Sequence, residues 1–220
     1  KSEIDKSWSL SENSTFSISS SKDELNDVYQ SHSFVNVKNV KKKQLRFIDA
    51  IFEAIDYSMS KHNNLIIMGQ DIAEYGGVFK ATEGLVYKYG KDRVRNTPLC
   101  ESVILSSALG LSICGFKSIV EMQFADFVST GFNAIVNNLA KSFYRWGQNS
   151  DVTIRMPTGA GVGAGPFHSQ SNEAWFTHTP GLKVVYPAFP NDAKGLLISS
   201  IEDPNPVMFF EHKALYRSLK

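Results

Sequence analysis

Two hydrophobic rhythms alternate along the chain from Gln44 onward. In QLRFIDAIFEAIDYSMSKH, apolar residues fall at Leu45, Ile48, Ile51, Phe52 and Ile55, the spacing of one helix face. NLIIMG is a short apolar run closed by Gly69, which predicts a buried strand. ATEGLVYKYG reads as a helix ended by Gly90, and ESVILSSALGLSICG as an apolar helix ended by Gly115. FKSIVEM and DVTIRM read as strands, with one long helix, FVSTGFNAIVNNLAKSFYRW, between them. KVVYP and PVMFFE read as the last two strands. The helix NDAKGLLISSIED joins them, starting from an Asn191 or Asp192 cap. Strands separated by helices predict an α/β fold, with right-handed crossovers and a mainly parallel sheet covered on both faces. In such sheets ligands sit beyond the carboxyl ends of the strands. Those ends fall at residues 69–77, 98–101, 121–127 and 157–168.

Residues 1–42 break the pattern. They are polar, with serine clusters such as Ser19, Ser20 and Ser21, and read as a linker or tail. The basic run Lys41, Lys42 and Lys43 reads as a solvated helix approach. A chain of 220 residues can bury a sizeable core. A net charge of +1 gives no electrostatic case for nucleic acid. No apolar stretch approaches the roughly 20 residues that span a bilayer. Two cysteines, Cys100 and Cys114, fit a reduced protein better than a disulfide framework. The chain opens on Lys1, which reads as a processed chain or part of a longer one. Glu3, Asp5 and Glu12 argue against a transit peptide, so bacterial cytoplasm is expected ahead of the mitochondrial matrix.

The candidate chemistry gathers in GPFHSQSNEAWFTH and the glycine run TGAGVGAG before it. His168 and His178 lie ten residues apart with no HExxH or CxxC spacing, a poor zinc pattern. Ser169 lies beside His168, but no strand–GxSxG–helix elbow frames it. GAGVGA fits a loose dinucleotide pattern, yet Pro166 interrupts and no helix opens to offer a phosphate its N-terminus. The glycines suit a tight turn or a close ligand approach instead. Glu101 opens the apolar helix after TPLC. One reading is a carboxylate favoured by the helix dipole; the other is a partly dry acid at a strand end.

Read together, NTPLCESVILSSALGLSICG, EMQFADF, GAGPFHSQSNEAWFTHTPGLKVVYP and AKGLLISSIEDPNPVMFFEHKALYR resemble the beta subunit of thiamine-diphosphate-dependent 2-oxo acid dehydrogenases, closest to the branched-chain (2-oxoisovalerate) type. The resemblance covers roughly residues 43–218. It implies the transketolase-type pyrimidine-binding fold over 43–220, and oxidative decarboxylation of a 2-oxo acid with acyl transfer to lipoamide. Pyruvate- and acetoin-type enzymes are the near alternatives, and a non-catalytic assembly module is the alternative for the chain in isolation.

By this resemblance Glu101 matches the carboxyl that bonds the aminopyrimidine nitrogen of thiamine diphosphate. Leu99 and Gln123 line that ring's pocket. Phe127 packs on it, where branched-chain relatives carry tyrosine; stacking is kept and a hydroxyl is lost. His168 matches the family's active-site histidine, near the substrate. His178 is expected to play a structural part. Val152, Thr153, Ser200, Asp203 and Asn205 match a structural potassium site built mainly of main-chain carbonyls. The chain has no GDG motif, so the alpha subunit, or a fused alpha half, is expected to hold magnesium and the diphosphate. The remaining expected partners are a lipoyl acyltransferase core and further copies in a homo- or hetero-oligomer, with no nucleic acid and no membrane. The family's second beta-subunit domain has no counterpart after Arg217, which is expected if the 220 residues belong to a longer polypeptide.

Overall fold

A computed structural model describes residues 1–33 and 43–218 of the chain. Six strands form one sheet: β1 (Leu65–Gly69), β2 (Val94–Asn96), β3 (Lys117–Glu121), β4 (Val152–Thr158), β5 (Lys183–Val185) and β6 (Val207–His212). Their spatial order is β2-β1-β3-β4-β6-β5, and every neighbouring pair is parallel. The expected α/β architecture is what the chain adopts.

Side chains of successive strand residues point to opposite faces, and two cores follow. Leu65, Ile67, Ile119 and Phe209 face one core, closed by α3 (Phe47–Lys61) and α8 (Pro190–Glu202). Met68, Val120, Ile154, Met156, Met208 and Phe210 face the other, closed by α5 (Glu101–Ile113) and the segment after β3. With both faces covered, the strands read as continuous apolar runs rather than alternations.

A charged network sits in the first core. Arg155 on β4 is fully buried. It donates to Glu211 Oε1 and Oε2 at 2.7 and 2.8 Å and to Glu121 Oε2 at 2.6 Å. Tyr216 adds a hydroxyl bond of 2.7 Å to Glu211. Three adjacent strands, β3, β4 and β6, are thus tied together near their carboxyl ends.

The structure corrects several expected elements. The tail carries two helices, α1 (Ser2–Glu12) and α2 (Ser21–Asn26), neither with a buried residue. Of the basic run, Lys41 and Lys42 lie outside the described residues, while Lys43 pairs with Glu53. The helix expected in ATEGLVYKYG is only α4 (Leu85–Tyr89), because Gly84 stands before it at φ +86°, outside helical space. The single long helix after β3 is broken into 3-10 turns (Ala125–Gly131, Leu139–Lys141), a π turn (Ala134–Asn138) and α6 (Ser142–Trp146). Two local causes are visible. The Ser142 hydroxyl takes the Asn138 carbonyl at 2.6 Å, in competition with the backbone ladder. Gly131 lies so close to α5 that a Cβ would stand 2.2 Å from Leu105. Finally, α8 starts on Pro190 after Phe189, not on an Asn191 or Asp192 cap. Proline's fixed φ is already helical at the first position.

Candidate functional site

Four loops converge beyond the carboxyl ends of β1, β2, β3 and β4, and they carry the residues singled out in the sequence. Glu101 is the first residue of α5 and 8% exposed. Its carboxyl accepts from Gln70 Nε2 at 3.3 Å, from the loop after β1, and from Thr130 Oγ1 at 3.3 Å, from the 3-10 turn after β3. Both bonds are long for a carboxyl. A buried acid held this loosely keeps acceptor capacity for another group.

Phe127 and His168 meet directly. Their rings lie 5.4 Å apart, edge to face, and Phe124 packs on the same imidazole at 4.7 Å. His168 ends a 3-10 turn, Pro166–His168, in the loop after β4, and its buried Nδ1 has no partner. Main-chain bonds fix that loop: Ser169 N and Gln170 N donate to Asp126 Oδ1 at 3.2 and 3.1 Å, and Asn172 Nδ2 donates to Ala125 O at 2.9 Å. Gln123 is half-buried and donates to Asp71 Oδ2 at 3.2 Å. Leu99 is 80% exposed beside Glu101. Glu101, Gln123, Phe127 and His168 therefore share one end of the sheet, with Leu99 at its open rim.

His178 does not join them. It caps the short helix α7 (Ala174–Thr177), is exposed, and belongs to neither core, so the expected structural part is not one of packing. The five potassium candidates gather at the opposite end, where β4 begins and α8 ends. All are buried. Thr153 Oγ1 donates to Ser200 O at 3.1 Å. Asp203 receives Asn205 N and Nδ2 on Oδ1 and Lys183 on Oδ2, with His32 at 3.6 Å. The Asn205 amide also brackets the Gln30 peptide, with two bonds of 2.9 Å. These side-chain oxygens already have protein donors, which leaves main-chain carbonyls for any cation. Among the described residues, no three His, Cys, Asp or Glu side chains come together as a metal site.

Sequence reasoning missed Gln70, Phe124 and Asp126. Gln70 directly follows Gly69 at a strand end, and its place there was the available signal. Phe124 and Asp126 were quoted inside QFADF without separate roles. The edge strand β2 was also missed, since three residues with two exposed polar members carry little pattern.

The family of the transketolase pyrimidine-binding domain matches residues 43–218. The 2-oxoisovalerate dehydrogenase subunit beta of Dictyostelium discoideum mitochondria is 47% identical over 188 residues, covering 84% of this chain and 50% of that one. The 2-oxoisovalerate dehydrogenase subunit beta of Bacillus subtilis is 44% identical, covering 80% and 54%. The same organism's pyruvate dehydrogenase E1 component subunit beta is 45% identical, covering 80% and 55%. The chain thus spans about half the length of the curated relatives it matches. Among solved structures, a split-gene transketolase described as an inactive beta4 tetramer superposes with a TM-score of 0.61 at 20% identity, over 76% of this chain and 50% of that one, a likeness of fold. A match over nearly all of the sheet-bearing region, joined to identities above 40% with beta subunits, settles the membership: this chain belongs to the transketolase pyrimidine-binding domain family.

Proposed function

We propose that this chain supplies the pyrimidine half of a shared thiamine diphosphate site in the decarboxylating component of a 2-oxo acid dehydrogenase of the branched-chain type. Glu101 carries the reading. It is a buried carboxyl, loosely held at the carboxyl-end rim of a parallel sheet, beside aromatic rings, in a chain closely similar to 2-oxoisovalerate dehydrogenase beta subunits. A similar identity to a pyruvate dehydrogenase beta subunit supports one second reading, the same role with pyruvate.

Thiamine diphosphate, when bound, supplies the electron sink that lets a 2-oxo acid lose carbon dioxide. Glu101 gives and retrieves a proton at the ring nitrogen it meets, with Gln70 and Thr130 orienting its two oxygens. Phe127 offers a stacking face and Leu99 an apolar wall. Gln123, steadied by Asp71, adds a polar edge. His168 stands ready to orient the substrate carboxylate or pass a proton in the acyl-transfer step.

The diphosphate and magnesium are left to an alpha-type part, since no GDG occurs in the sequence. The surface supports such a partner. Leu99, Val103 and Phe167 are 80%, 57% and 73% exposed around Glu101, and α5 is apolar on its outward side as well as its inner one. Cys100 and Cys114 are exposed and unpaired, which suits a reducing compartment. Acyl transfer to a lipoyl-bearing core completes the reaction class.

Titration calorimetry with magnesium and thiamine diphosphate tests the division of labour. Saturable binding is expected only with the alpha-type part present; tight binding by this chain alone would overturn it. A structural potassium ion on the carbonyls of Val152, Thr153, Ser200, Asp203 and Asn205 belongs to the same proposal. It is discarded if the melting temperature is equal in potassium and lithium salts at matched ionic strength.

A further inference from the structure

Lys213 is a buried cation that the proposed chemistry does not use. It follows β6 in a 3-10 turn, Lys213–Leu215, and is 5% exposed. Its Nζ is buried without a hydrogen-bond partner and stands 5.3 Å over the centre of the Phe124 ring. An ammonium in that position is costly to keep. The aromatic face offsets part of the cost, about 0.5–2 kcal/mol. Burial pushes the amine's pKa down, and the charge of Asp126 pulls it back up.

Asp126 is itself 6% exposed and divided in its duties. Its Oδ1 takes the two successive N–H groups that follow His168, at 3.2 and 3.1 Å, while Oδ2 has no partner. Phe124 touches Lys213 by its face and also packs on the His168 ring, at 4.7 Å and 85°. The ends of β3, β4 and β6 thus meet in one cluster: an anion bonded to the histidine loop, a cation acting on that anion, and an aromatic ring in contact with both cation and histidine.

We propose that Lys213 is a positioning residue: its buried ammonium holds the Asp126 carboxylate in place, and Asp126 in turn fixes the loop that presents His168 to Phe124 and Phe127. A lysine serving only to fill space would behave differently on substitution. Lys213→Met keeps much of the volume and removes a desolvated charge, so the global fold should lose little stability or gain some. The loop should nevertheless loosen. The consequence for substrate handling rests on the proposed role of His168, but the experiment reads the loop itself, so the two can fail separately.

The test is amide hydrogen exchange at Ser169 and Gln170, with the ring-current-shifted His168 Cε1 proton signal, in the complete protein. Lys213→Met is expected to speed exchange at both amides by tenfold or more and to move the His168 signal toward that of free histidine, without a lower melting temperature. Lys213→Arg, which keeps the charge, should retain both signatures, and Asp126→Asn should lose them. Unchanged exchange and an unmoved histidine signal in Lys213→Met would overturn the proposal, as would equal loosening in Lys213→Arg, which would make shape rather than charge the cause. Should Lys213→Met not fold, Asp126→Asn decides: unchanged protection there overturns it.

Discussion

Removing Arg155 should be among the most damaging single changes to this fold, by a mechanism visible in its pH dependence. Arg155 makes three charge-assisted bonds of 2.6, 2.7 and 2.8 Å to Glu121 and Glu211, in a core that shows none of its surface to solvent. Burial alone would lower the guanidinium pKa. The carboxylates of Glu211 and Glu121 more than reverse that, and it stays charged. In Arg155→Met the two carboxyls remain buried on neighbouring strands, with only the Tyr216 hydroxyl to serve Glu211. Breaking a buried pair in this way costs about 3–5 kcal/mol. For a chain of this size that is a fall in melting temperature on the order of 10 °C. The deficit should shrink as pH is lowered, because protonation discharges the orphaned acids. Replacing Arg155, Glu121 and Glu211 together with methionine should recover much of the loss, since no buried charge then remains. Thermal melts of the three proteins across a pH series provide the assay. An Arg155→Met protein that melts like the parent at neutral pH, or whose deficit does not change with pH, would refute this account of the network.

Three further outcomes follow from individual contacts. Burial raises the Glu121 pKa above its ordinary 4.5; Arg155 pulls it down and Glu211 pushes it up again. Its contribution to stability is therefore full below pH 4.5 and lost as pH rises through the folded-state value, so Glu121→Gln should flatten the stability profile above pH 4.5. Gly181 has φ +92°, and a Cβ there would lie 1.9 Å from Ala140 O, whereas Gly84 at φ +86° has open space. Gly84→Ala should cost only the left-handed strain, about 1–2 kcal/mol, and Gly181→Ala clearly more in the same denaturation assay. Gln70 is buried and Thr130 exposed, though both bond Glu101 at 3.3 Å. Water can replace the Thr130 hydroxyl, so Gln70→Leu should lower kcat/KM of the assembled enzyme about tenfold and Thr130→Val less than about threefold.

The sheet was legible because its strands are short apolar runs with glycine or proline at their ends. Gly90 and Gly115 end helices where expected, both at positive φ. The long helix after β3 was not legible as broken. Its apolar spacing is helical, and the interruption comes from α5 pressing on Gly131 and from the Ser142 hydroxyl, which are contacts in space. The site residues named from family motifs, Glu101, Gln123, Phe127 and His168, do converge. Their supports were hidden for a physical reason. Arg155, Lys213 and Asp126 are charged side chains, which sequence reasoning places at the surface. Only the fold shows that partners on three strands, or a ring and a carboxylate, bring them inside.

Glu101→Gln in the fully assembled enzyme, saturated with thiamine diphosphate and magnesium, tests the central claim most directly. The substitution nearly keeps the shape and removes the proton function. The account predicts that decarboxylation of the 2-oxo acid falls by about 100-fold or more, with cofactor still bound. Decarboxylation surviving within about tenfold, roughly 1.4 kcal/mol of barrier, would contradict it.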